Sequence, residues 1–231
     1  MNTEPLGEQS LAALLHLASP ALPLGAFSYS QGLESAIVAG DVREEGTAQR
    51  WIADGLIHGF GRCELPVYAL QHDAWARGAI DEVARRDACF RAMRETAELL
   101  AETEQMGWAA VQLGRDLALG PAATRAALLA MRPAALPTAM AFLAWAQGIP
   151  AALALIGYAF AWLENQATAA GKTVPLGQSA VQRIVYALRG TAAEQARRAL
   201  GLRDDDLETF APRIALRSAQ HETQYTRLFR S

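Results

Sequence analysis

The stretch Pro175-Leu-Gly-Gln-Ser-Ala-Val-Gln-Arg-Ile-Val-Tyr-Ala-Leu-Arg-Gly190 sets Val181, Ile184, Val185 and Leu188 at spacings of three and four. That period matches the 3.6-residue turn, so the four side chains form one apolar stripe of an amphipathic helix. The same spacing recurs through almost the whole chain, whereas the alternating Val/Ile/Thr runs that signal strands are missing. The expected fold is therefore all-α, a single-domain bundle of about ten helices with no sheet. No repeat, linker or shift in composition divides residues 1–231, and the segment from about His221 reads as an exposed C-terminal tail.

Punctuation residues place the expected boundaries. Ser10 begins a first helix that ends before Pro20, and Ser28 with Gln31 has the spacing of a capping box before a helix closed by Gly40. Thr47 starts a helix carrying Trp51, Leu56 and Phe60, and Pro66 suits a first turn. From Asp87 to Leu119 the pattern gives one long helix or two in line, with Phe90, Met93, Ala97 and Leu100 inward and the other face charged. Pro121, Pro133, Pro137 and Pro150 cut the next segment into short pieces, because proline removes a ladder hydrogen bond. Thr191 with Glu194 suggests a further capping box, and Pro212 opens a last helix.

Composition narrows the function. Of the 231 residues 52% are hydrophobic, enough for a sizeable core, and the formal charge of -3 lacks the basic footprint of a nucleic-acid binder. Glu4, Pro5 and Glu8 stand where a signal peptide would need a basic start and an apolar run, so a cytoplasmic location is expected. Pro133 to Leu163 contains no charged residue or histidine, but Pro137, Gln147, Gly148 and Pro150 interrupt it. The longest clean piece, Ala151 to Leu163, is shorter than the ~20 residues of a membrane span. The two cysteines, Cys63 and Cys89, read as reduced core thiols.

Each candidate for intrinsic chemistry fails on spacing or context. Gly171-Lys172-Thr173 ends like a phosphate-binding loop, yet Gln166 replaces the leading glycine and the preceding segment reads as helix. His221-Glu222 begins like a zinc-protease helix, but Tyr225 occupies the place of the second histidine, and His16, His58 and His72 are scattered. Gly59-Phe60-Gly61 lacks its third glycine, Asp204 to Asp206 suit a helix start, and no serine sits in a nucleophile elbow. No catalytic residue and no metal ligand is assigned, although symmetric association could bring two copies of a histidine or cysteine together.

Two segments remain unexplained by a core alone. The run from Ala18 to Glu34 concentrates two glycines, two prolines and two aromatics in a tight turn and helix start. At the other end Tyr225, Leu228 and Phe229 accompany Arg227 and Arg230, residue types enriched at protein interfaces. A tail folded on its own core and a tail docking on a partner both fit.

These residues carry a resemblance to the UreF family of urease accessory proteins. It rests on Leu17 to Gly25 running into Phe27 to Glu34, on Arg94-Glu95-Thr96 and Gln105-Met106-Gly107, and on Trp162 to Gln166. Lys172 to Gln178 and His221 to Phe229 complete it. The resemblance implies an all-helical, non-enzymatic chaperone for nickel insertion, acting as a homodimer. Its implied partners are UreD (UreH in some systems), the GTPase UreG and apo-urease. It implies no cofactor on this chain, since nickel and GTP act through partners. By the same resemblance the tail residues His221, Glu222, Thr223, Gln224, Tyr225, Arg227, Leu228 and Phe229 dock UreD or UreH. Lys172, Gln178, Ser28, Tyr29, Ser30 and Glu34 are assigned to a UreG-facing or nickel-transit surface. Gly171 departs from relatives, which often carry a hydrophobic residue before the lysine. The rival readings are a nucleotide-dependent enzyme using Lys172 and a plain structural bundle.

Overall fold

A computed structural model describes residues 7–209 and 211–231. Among them are eleven α-helices and no strand, in keeping with the periodicity. In order they are α1 (Glu8–Leu17), α2 (Leu33–Val38), α3 (Glu45–Asp54), α4 (Glu64–Arg77), α5 (Ile80–Ala92), α6 (Ala97–Asp116), α7 (Ala122–Ala130), α8 (Leu136–Ala146), α9 (Ala151–Thr173), α10 (Gln178–Ala199) and α11 (Pro212–His221). Gly55–Phe60 continues α3 as a wider π-helical turn, and Ala26–Ser28 and Asp204–Asp206 are short 3-10 turns.

α9 is the centre of the bundle. It packs along α10 and also meets α1, α2, α3, α4 and α8. Its largely apolar sequence explains this position: Ala154, Leu155, Ala159, Leu163, Ala167 and Ala170 are buried, and small side chains let neighbouring helices approach. No helix among the described residues is long and apolar enough to cross a membrane. On the far side α8 packs between α4 and α6. There Trp75 of α4 meets Phe142 of α8 edge-on, with centroids 5.2 Å apart, and donates to the Thr138 carbonyl at 3.1 Å.

Glycine is required at two contacts. Gly107 of α6 lies so close to the chain entering α8 that a Cβ would sit 2.0 Å from the Ala134 carbonyl oxygen. Gly32, with φ of 79°, precedes α2 where a Cβ would meet the Ser218 backbone nitrogen of α11 at 2.9 Å.

Several boundaries differ from expectation. Ser28 and Gln31 form no capping box: α2 begins only at Leu33, and the Gln31 side chain instead donates to Glu102 at 2.8 Å and accepts from Trp162 at 2.8 Å. Thr191 and Glu194 form none either, because α10 runs unbroken through Gly190, its continuous buried face outweighing the local stop signal. Of the one helix or two expected from Asp87 to Leu119 there are two, α5 and α6, parted by Met93–Thr96, with Thr96 capping α6 by accepting from the Leu99 amide at 3.2 Å. Ala97 is consequently exposed and Leu99 is the residue that turns inward. Cys63 is buried as expected, but Cys89 lies on the surface.

Candidate functional site

The tail does not project. After α11 the chain turns back across α2 and the start of α6, and Glu34 organises the crossing. This buried carboxylate accepts from the Leu228 amide at 2.8 Å, from the Phe229 amide at 2.9 Å and from Gln224 Nε2 at 3.4 Å, and it lies 3.2 Å from His221 Nε2. Buried carboxylates need such donors, since an uncompensated charge in a core is costly. The other ring nitrogen of His221 lies 2.7 Å from Glu98, whose second oxygen accepts from Arg227 at 2.8 Å.

A second set of bonds fastens the end. The Ser30 amide and hydroxyl both donate to the Ser231 carbonyl, at 2.8 and 2.6 Å, and the Ser231 hydroxyl donates to Glu102 at 2.8 Å. The Arg230 amide donates to the Ser28 carbonyl at 2.8 Å. Tyr29 and Arg230 both donate to Gln105 Oε1, at 2.7 and 3.1 Å. Glu222 reaches the N-terminus of α6, accepting from the Ala97 amide at 2.8 Å, where a carboxylate suits the unpaired amides and the helix dipole.

The tail is exposed only in part: Glu222, Thr223, Tyr225, Arg227 and Leu228 are on the surface, but the segment is anchored on the bundle. His221, Phe229 and Ser231 are buried, while Tyr225 and Leu228 point outward, the latter 63% exposed. The physical reason is polar: backbone amides of the tail find acceptors in Glu34, and its apolar Phe229 finds cover. The two segments singled out separately in the sequence are one structure, with the run through Ser28, Tyr29, Ser30 and Glu34 serving as the seat. Tyr29, Ser30 and Glu34 are buried beneath it.

Lys172 and Gln178 are exposed at the end of α9 and the start of α10. The Lys172 ammonium lies 5.8 Å from the ring centre of Phe229 and 5.8 Å from that of Phe27, so the lysine surface is continuous with the tail. Gly171 to Thr173 form the last helical turn of α9, with the Thr173 hydroxyl bonded to the Ala169 carbonyl at 2.8 Å, and not a phosphate-cradling loop. No cluster of metal-ligating side chains occurs among the described residues.

Behind the seat lies a cavity of about 150 Å³ between the Leu17–Phe27 loop and α4, α6, α8 and α9, mostly apolar but with Glu64, Glu102 and Arg94 on its wall. Burial pushes the Glu102 carboxyl up to about 7, against the lowering effect of its bonds from Gln31 and Ser231. Burial also raises Glu64, which is opposed by Arg94 at 3.7 Å and by the Tyr158 hydroxyl that donates to it.

Glu98, Glu102 and Ser231 were not singled out as site residues by sequence reasoning, and Gln105 was named only within a motif. The charged face of α6 reads as a solvated one, yet Glu98 and Glu102 are a helical turn apart, Thr103 is buried between inward-facing residues, and this acidic row faces the tail. That i, i+4 pairing among buried neighbours was the available signal.

The UreF family model matches residues 42–189. A relative from Ralstonia pickettii (strain 12J), described as the urease accessory protein UreF, is 50% identical over 224 residues, covering 96% of this chain and 97% of its own. With its helical fold and the tail seat formed by the motifs that carried the resemblance, the chain belongs to the UreF family of urease accessory proteins.

Proposed function

We propose that this chain is an adaptor for nickel insertion into apo-urease, holding UreD (or UreH) and the GTPase UreG together as a homodimer and performing no chemistry itself. The observation that supports this reading best is the way the tail is held. Glu34 and Ser30 fix its backbone, so Tyr225 and Leu228 are presented outward from an ordered support, and ordering an interface beforehand lowers the entropy lost on binding. The tail is the UreD-facing or UreH-facing surface. The adjoining patch of Lys172, Phe27 and Gln178 is the UreG-facing surface, and the shared Phe229 contact makes the two neighbours.

Co-purification tests this. Tyr225→Ala combined with Leu228→Ala removes exposed side chains and should weaken capture of UreD or UreH by at least about tenfold, the cost of losing interface anchors, with the melting temperature unchanged. Lys172→Ala should leave that capture intact and reduce recruitment of UreG or urease activation. Undiminished capture by the first variant sinks the tail assignment, and undiminished activation by the second removes Lys172.

A further inference from the structure

Of the five tryptophans only Trp108, midway along α6, is exposed; its side chain is 62% open to water, while Trp51 and Trp75 are buried and Trp145 and Trp162 half-buried. A single apolar side chain on a surface is ordinary. Trp108 does not stand alone, because it forms the ridge between two open hollows of about 580 and about 490 Å³ and lines both. Leu24 and Ala101 line the first hollow, and Leu129 and Met131 the second. A segment laid across the ridge would cover an indole, and aromatic side chains bury about 150–250 Å² each.

The rims of both hollows are cationic, in a chain whose formal charge is -3. Arg230 borders the first, and Arg115 and Arg132 border the second, which has no carboxylate on its wall. The one carboxylate lining the first, Glu104, is held by Arg91 at 3.1 Å. Arg230 donates to the neutral Gln105 side chain and Arg132 to the Leu129 carbonyl, so neither is bonded to a carboxylate among the described residues. Arg115 is paired with its neighbour Asp116 at 2.7 Å, but both are exposed, where such a pair contributes little.

We propose that the Trp108 ridge is a second docking site for the protein that takes the tail, receiving an acidic segment whose apolar side chains sit on either side of the indole and whose carboxylates meet Arg132 and Arg230. This rests on the reading of the tail as the UreD-facing or UreH-facing surface. Continuity selects that partner: Arg230 belongs to the tail, follows the buried Phe229, and forms part of the first hollow. One footprint therefore runs from Tyr225 and Leu228 past Arg230 to Trp108 and on to Arg132. Tryptophan and arginine are the side chains that most often anchor such contacts, and unpaired rim cations steer and orient an acidic partner.

Co-purification of UreD or UreH with the full-length chain tests the site. Trp108→Ala should weaken capture at least about tenfold, as truncation of an interface tryptophan does, with the melting temperature unchanged because the side chain is exposed. Arg132→Glu should weaken capture by about tenfold and Arg132→Lys, which keeps the charge, by no more than about twofold; added salt should narrow the gap between them. Full capture by Trp108→Ala or by Arg132→Glu overturns the proposal, as does a loss of UreG recruitment by Trp108→Ala while UreD or UreH is still held. Tyr225→Ala combined with Leu228→Ala reports on the tail separately. A loss there with none at Trp108 removes the ridge and leaves the tail assignment standing, whereas a loss at neither removes both.

Discussion

Glu34 carries more of the tail than any residue beside it, because two backbone amides and two side chains converge on its two oxygens. Glu34→Ala should lower stability by about 2–3 kcal/mol, since hydrogen bonds to a charged group are lost and buried donors are left without partners. Urea denaturation would measure this, and Glu34→Gln, which retains one accepting oxygen, should fall between. In the sequence Glu34 was visible as part of a dense motif, but its partners lie 187 to 195 positions away, beyond any local pattern. His221 shows the same limit from the other end. Its spacing to other histidines gave no ligand pattern, and the two carboxylates that flank it come from separate helices.

At the scale of elements, the helices followed from periodicity and proline placement, and the errors fell at their ends. Thr191 and Glu194 have the spacing of a cap, yet the buried face of α10 continues past them through Ala192, Gln195 and Ala196, so packing overrides the local signal. Two glycines distinguish a packing role from a tolerated one. Gly107→Ala would force a methyl into the Ala134 carbonyl and separate α6 from α8, with an expected loss of about 2–3 kcal/mol. Gly190 lies inside α10 with open space around it, and Gly190→Ala should add about 0.5–1 kcal/mol. Thermal unfolding of the two variants should therefore shift in opposite directions, and equal shifts would contradict the described approach of α6 to the start of α8.

For the whole molecule the tail is part of the fold as well as part of the surface. A chain shortened before His221 should lose at least about 3 kcal/mol, because several buried and charge-assisted hydrogen bonds disappear together, and calorimetry should show it. Loss of partner capture by such a chain would thus mix a damaged fold with a missing contact, which is why exposed Tyr225 and Leu228 are the cleaner positions. The bonds from Ser30 to Ser231 and from His221 to Glu34 also impose an order in time. With 187 positions between the latter pair, and synthesis proceeding at about 5–20 residues per second, Glu34 leaves the ribosome some 10–40 s ahead of its partner. During that interval the nascent bundle must hold two acidic side chains with water in place of the histidine that later bridges them. The bundle reaches its finished shape only once residues 221–231 have emerged and seated on Ser30 and Glu34.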